Sequence, residues 1–398
     1  MRTSNKPLSD SENAVIPEPL GDAGPETTAI ETARKVEKSK LSAGLQVLIR
    51  TIAPIVLALF VAGLIIWGMG VNPLKFYGDI VALGLGGTGW QKTLTLMAPL
   101  LIIALGLIIA FRAQLWNLGY NGTYLLAAAV VAGISPDIMQ ALPFGIGILV
   151  LFTMAFVIGA ALGYLPALLK AKYGTNEIIT SLMLSFIAIG VANILVKGPF
   201  QDTGVTVPQT RVLDLGLMLP YIPGTRIHIG FLVALLIVLI FHYILTKSSF
   251  GLKIDILGAS PKAATHAGVD SRKMIILVFV LSSGMIALAG AIDMLGLWGY
   301  MRTNWDPMYG DKILPFVFLA RLNPIGSIPL VAFYAVLGTG GTIAAQQAGL
   351  SVDFLLIIVA LILFFMTIIE YMGNRRDLGK SYLPAGLFTR AKSKADRS

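Results

Sequence analysis

Residues 257–274 read LGASPKAATHAGVDSRKM, and they join two uncharged runs, IHIGFLVALLIVLIFHYILT (227–246) and MIILVFVLSSGMIALAGAI (274–292). Each run is long enough to cross a hydrocarbon core of roughly 30 Å as a helix. That arrangement decides the fold class: two membrane-crossing helices with a polar, basic connector between them. Within the connector, Ser260 is placed to cap a helix, Pro261 suits its first turn and Gly268 suits a left-handed exit. The predicted helix is about two turns, roughly 12 Å at 1.5 Å per residue. Ala263, Ala264 and Ala267 leave one of its sides nearly bare, so another protein can approach the backbone closely. An ordinary capped loop is the competing reading.

The rest of the chain repeats this pattern. Of 398 residues, 56% are hydrophobic and 13% are charged, against about 25% charged in soluble domains. Uncharged runs occupy 51–74, 93–111, 113–136, 138–169, 178–196, 227–246, 274–292, 322–352 and 354–369. None alternates every second residue in the manner of a barrel strand. The expected fold is therefore an all-α polytopic membrane protein. Residues 313–320 are too short to cross alone. If they and the run after them each count, there are about ten transmembrane helices; if they form a re-entrant pair, there are eight. Residues 71–91 read as a Gly-rich connection. Thr175 or Asn176 is placed to cap the helix that Glu177 opens, and 197–226, with four prolines, is the longest outer connection.

Charge sets the expected orientation. Residues 1–47 are polar, nearly neutral and without an apolar stripe, which predicts a disordered tail. Residues 48–372 form the transmembrane domain, and 373–398 a basic tail. Both ends are expected in the cytoplasm, and the inner loops hold nine Lys/Arg against seven outside. The net charge of +9 therefore serves topology, not nucleic acid. There is no cysteine, and His228, His242 and His266 are too scattered to suggest a metal site. Gly84, Gly86 and Gly89 match a dinucleotide fingerprint without its strand–helix unit, and 379–381 imitate a phosphate loop with the wrong spacing. Nothing resembles paired carboxylates or a Ser/His/Asp set, which points to a conduit and away from an enzyme.

Polar residues inside the apolar runs mark a candidate substrate pathway: Trp116, Asn117, Asn121, Asp293 and Asn323. Trp116 is suited to stack on a flat solute or to sit in an interfacial aromatic belt. Asp293 reads first as a hydrated group at the outer interface and otherwise as a pathway acid. RAQLWNLG (112–119) and RLNPIG (321–326) are alike, as breaks at matching places in two halves of a transporter can be, but both fall on one side.

Four stretches in order carry a family resemblance: FRAQLWNLGYNGTYLLAA (111–128), YGTNEIITSLMLSFIA (173–188), GPFQD with VPQT (198–202, 207–210) and LGASPKAATHAGV (257–269). Over about residues 50–372 the chain resembles permease subunits of bacterial ABC importers in the branched-chain amino acid and monosaccharide permease superfamily. It is most similar to the nucleoside-type branch that works with basic-membrane-protein lipoproteins. The segment RTNWDPMYGDKILPF (302–316) departs from the family's Gly-rich pattern, and family members often carry an acid near Asn121.

The resemblance implies a cytoplasmic coupling helix at 261–268, with Ser260, Pro261, Ala263, Ala264, Ala267 and Gly268 against an ABC ATPase. It implies a second permease subunit in a heterodimer and an extracytoplasmic substrate-binding lipoprotein. ATP and Mg would be used by the ATPase, with no cofactor on this chain. The implied solute is a nucleoside or a related neutral polar compound, with a monosaccharide as the alternative, carried across the bacterial plasma membrane. An ion-coupled secondary transporter is the competing class, with Asp293 its lone candidate acid. A membrane enzyme or scaffold finds no support in the residues.

Overall fold

The computed structural model describes residues 49–377. The expected N-terminal tail, most of the basic C-terminal tail and the phosphate-loop imitation lie outside the described residues. Among them, nine helices are long and apolar enough to cross a membrane. These are α1 (Ile49–Gly68), α3 (Gly89–Arg112), α4 (Tyr120–Ala141), α5 (Phe144–Tyr173), α6 (Glu177–Lys197), α7 (Gly230–Lys247), α10 (Ser271–Asp293), α12 (Pro324–Gln347) and α13 (Phe354–Asp377). Four shorter helices lie between them: α2 (Pro73–Leu85), α8 (Ser249–Ala259), α9 (Pro261–His266) and α11 (Tyr309–Leu319). A π-helical turn, Met294–Trp298, extends α10.

Local chemistry explains the helix starts. Asn176, not Thr175, caps α6, its side chain accepting from Ile178 N at 2.9 Å. Ser260 caps α9 by accepting from Ala263 N at 3.3 Å, and Gly268 leaves at φ +76°. Two helices were hidden in the sequence. The stretch read as a connection contains α2, capped by Asn72 and begun by Pro73. Its glycines suggested a loop, yet Gly84 lies where a Cβ would meet Val336 of α12 at 2.9 Å. Likewise α8, capped by Ser248, precedes α9 in the polar connector.

Burial does not follow apolarity. Helices α3 and α13 are equally apolar, yet α3 is almost entirely buried and α13 mostly exposed. Lipid chains are as apolar as leucine, so a bilayer gives large apolar side chains no reason to turn inward; close packing of small residues decides instead. The buried side of α5 is Gly147, Leu151, Ala155, Gly159, Gly163, Pro166 and Ala167, mostly at four-residue intervals. That of α6 is Glu177, Ser181, Ser185, Ala188, Ala192 and Val196. Their outer faces carry Leu149, Val157, Phe186, Ile187 and Ile194. Where α5 crosses α10, a Cβ on Gly159 would run into the Ser283 backbone and the Ala287 methyl, and a Cβ on Gly163 would lie 2.7 Å from Phe279 O.

Contacts fix the direction of each pass. The irregular segment 198–229 meets the start of α3 (Arg226 N to Gln91 Oε1, 2.9 Å) and the end of α4 (Arg211 to Asp137, 2.5 Å). It also meets the turn after α10 (Leu219 N to Leu295 O, 2.8 Å). These points share one end of the bundle, the loop end. The other end carries α8 and α9, where the end of α3 meets Asp255. Residues 299–308 leave the loop end without helix, bonded to Pro208, Thr210 and Asn193. Helix α11 completes the pass: its Leu319 carbonyl accepts from Thr51 Oγ1 at the start of α1 (3.4 Å), and Phe318 stacks on Phe111 of α3. Since α11 leaves at the opposite end, it is not one arm of a re-entrant pair. Among the described residues α11 is thus a further pass beside the nine long helices, which supports the ten-span reading over the eight-span one.

Candidate functional site

Two helix breaks organise the polar residues. Helix α3 ends at Arg112, and the chain runs unwound to Gly119, with Gln114 at φ +55°. A left-handed non-glycine residue costs about 1–3 kcal/mol, so neighbours must hold it. They do. Asn117 Nδ2 donates to Ser282 Oγ (3.1 Å) and Ser283 Oγ (2.9 Å) of α10, while its Oδ1 accepts from Gly119 N (3.2 Å). Ser181 and Ser185 of α6 accept from Leu118 N (3.1 Å) and Gly122 N (2.8 Å). Thus the backbone freed by the break is satisfied inside the protein, as a bilayer demands. The second break follows α11, where Arg321 and Leu322 take φ +52° and +56°. Phe111, Trp116 and Phe318 pack the two breaks together, with centroids 5.0–5.8 Å apart. Both lie at the α9 end, on one side as the order of the runs predicted and not at inverted places in two halves.

The pathway residues separate into different roles. Asn121 meets the α11 acid Asp311, Nδ2 to Oδ2 at 2.5 Å, and Tyr120 donates to the other oxygen of that carboxylate at 2.7 Å. Asp293 is not a hydrated interfacial group. It is 1% exposed and accepts from Tyr124, because the π-turn carries the chain one turn beyond it. Asn323 is exposed and caps α12, accepting from Ile325 N at 3.0 Å. Trp116 sits in the aromatic packing of the breaks, and Asn117 is fully used by it. Asp293 meets the aromatic group of Tyr124, Trp298, Trp305 and Tyr309 through Tyr124, and Asn121 is bonded to Asp311 of α11, two residues after Tyr309.

Beside that group lies a cavity of about 520 Å³, bordered by Gln91, Thr95, Trp298, Tyr309, Thr339 and Thr342. Across Tyr309 and Thr342 it adjoins one of about 270 Å³ that includes Asp306, Lys312, Tyr334 and Asp353. The wall of the larger cavity is mostly apolar, with amide, hydroxyl and aromatic groups and the cations Lys92 and Arg226 among it, a mixture that suits a small solute with polar groups. None of these lining residues was among the predicted site residues, though Asp306, Tyr309 and Lys312 fall in the 302–316 stretch that departs from the family pattern. A groove of about 610 Å³ between α1 and α2 is lined mainly by Leu, Phe and Trp, and its Tyr77 hydroxyl is already bonded to Leu59 O. Among the described residues, no group of three His, Asp or Glu is placed to hold a metal ion.

At the α9 end, the predicted coupling residues are together, with one exception. Ser260 is half-buried at the cap, and Pro261, Ala263, Ala267 and Gly268 are exposed. Ala264 is 0% exposed, because α9 packs on α8 and α10 with this residue turned inward. It belongs to the anchor of α9 and not to its bare face. Thr265 and Ser271 hydroxyls on the Pro261 carbonyl (3.1 and 3.2 Å) tie the helix to the start of α10.

Among the described residues, a bundle of long apolar helices with two helix breaks at the α9 end and a cavity toward the loop end fits a membrane permease. Comparison with known proteins gives the family. The model described as branched-chain amino acid transport system / permease component matches residues 90–367, and the chain belongs to that family. It is similar to a glucose ABC transporter permease protein of Haloferax volcanii, 30% identical over 331 residues that cover 80% of this chain and 87% of the relative. It is 27% identical to a nucleoside ABC transporter permease protein of Lactococcus lactis over 337 residues, 81% of this chain and 91% of the relative. A guanosine ABC transporter permease protein of Bacillus subtilis is 25% identical over 281 residues, 69% and 80% respectively. No solved structure matches the chain.

Proposed function

We propose that this chain is the permease subunit of an ABC importer for a nucleoside, with a monosaccharide as the second reading. The observation that carries the proposal is α9, a capped helix tied to α8 and to the start of α10, which exposes the small residues Pro261, Ala263 and Ala267 beside Lys262, Thr265 and His266. It is the docking element for a cytoplasmic ABC ATPase, which uses ATP and Mg; this chain hydrolyses nothing. The excess of Lys and Arg at the α9 end supports a cytoplasmic location for it and for both termini, in the plasma membrane. A second permease subunit forms the heterodimer, and an extracytoplasmic lipoprotein delivers the solute. Relatives named for nucleoside and guanosine support the first reading, and one named for glucose the second. The cavity's aromatic and amide groups suit a base and a ribose alike.

The test is the pair Ala263→Glu and Ala267→Glu, on the exposed face. Each is expected to insert normally, lose co-purification of the ATPase and stop uptake of labelled guanosine. Normal association and uptake in both would refute the docking role. Ala264→Glu is the wrong probe, since a buried carboxylate there would disrupt folding itself.

A further inference from the structure

We propose that Arg112 and Asp255 form a latch that passes movement of the α8–α9 segment to the broken junction between α3 and α4. The inference rests on reading α9 as the ATPase contact. Arg112 is the last residue of α3, and Asp255 lies mid-way along α8, 143 positions later. Their pairing is two-pronged: Nε to Oδ1 at 2.9 Å and Nη2 to Oδ2 at 2.6 Å. A fork-to-fork pair fixes orientation as well as distance. One turn further along α8, Gly258 lies so close that a Cβ would collide with the Arg112 carbonyl and come within 3.2 Å of the Ala113 carbonyl carbon. Helix α8 therefore rests on the junction through a backbone contact and a directed ion pair, both on the same residue.

What lies beyond Arg112 makes this contact consequential. Residues 113–119 are unwound, and the junction is held to α10 through Asn117 and to α11 through Tyr120 and Asn121 on Asp311. Helix α9 also continues covalently into α10, so α10 needs no latch. The α3–α4 junction and α11 have no such link in sequence, and Asp255 supplies one. The pair is partly exposed, with the Arg112 and Asp255 side chains 16% and 47% accessible. Such pairs add little to stability, so removing one charge leaves a folded protein in which transmission can be measured.

The chain has no cysteine, so introduced cysteines label cleanly. In the complete transporter, spin labels at Gln114→Cys and Thr265→Cys are each measured against one at Gly216→Cys, with and without ATP and vanadate. The expected result is a nucleotide-driven shift of about 2 Å or more at both positions. In Asp255→Asn and in Arg112→Gln, the shift at 265 persists and that at 114 falls at least threefold. The exchange Arg112→Asp/Asp255→Arg restores it, which a merely structural role for either residue would not produce. The latch is overturned if position 114 is still in the unaltered protein, if its shift survives the single changes, or if the exchange fails to restore it. Absence of movement at 265 would instead defeat the docking of the ATPase on α9, a separate outcome.

Discussion

Gly159 and Gly190 are both mid-span glycines, and replacing each with alanine should move stability in opposite directions. At Gly190 a Cβ meets nothing within 4 Å. Gly190→Ala therefore gains only the helix preference of alanine, about 0.5–1 kcal/mol. At Gly159 the Cβ would overlap the Ser283 carbonyl and the Ala287 methyl, with Ser283 C at 2.9 Å. A carbonyl of a packed helix cannot swing aside, so α5 and α10 must separate. Overpacking of this kind costs about 1–3 kcal/mol. After subtracting the helix-preference gain, Gly159→Ala should destabilise by up to about 2 kcal/mol, leaving the two variants roughly 1–3 kcal/mol apart. The assay is the unfolding free energy of the isolated chain in lipid bicelles, by steric trapping. Ala287→Gly added to Gly159→Ala should recover part of the loss but not all, since the carbonyl overlap stays. If the two alanine variants agree within about 0.5 kcal/mol, or fall in the reverse order, small-residue packing does not set this interface.

Other consequences are equally open to measurement. Asn117→Ala should cost about 2 kcal/mol, from two interhelical hydrogen bonds and an orphaned Gly119 N–H. Combined with Ser282→Ala/Ser283→Ala it should cost clearly less than the sum, and strict additivity in bicelle unfolding would contradict the network. Tyr124→Phe takes the Tyr124 donor from the buried Asp293 carboxylate and should destabilise more than Tyr124→Phe/Asp293→Leu, as a thermal melt of both proteins would read. His228, at the loop end before α7, is 0% exposed, with neither ring nitrogen bonded among the described residues. Burial pulls its pKa down from 6.5 to about 4. The unfolded chain thus binds a proton that the folded one refuses, so its neutral form supports the fold above about pH 6.5, and that support falls away as pH drops from 6.5 toward 4. His228→Phe should flatten stability across that window; an unchanged slope would refute the assignment.

Much of this protein was legible in one dimension. Uncharged runs located the nine long helices among the described residues, with ends off by up to about eight residues, because crossing a bilayer requires a minimum length of apolar sequence whatever its neighbours are. Ser260, Pro261 and Gly268 announced α9, and Glu177 the start of α6, because capping is satisfied within a few residues of chain. What remained hidden depends on partners far away in sequence. The glycines of α2 look like a loop until α12 fills the space beside them. Residues 313–320 look too short to cross until α11 is seen to begin at Tyr309 and to end beside the start of α1. Asp293 seemed to be at a water interface until the π-turn buried it under Tyr124, and Ala264 seemed part of a bare face until α8 and α10 closed over it. In water, hydrophobicity would have told each helix which side to hide. In lipid that gradient vanishes, and the choice passes to the fit of small residues and polar pairs between helices, which only the folded chain brings together.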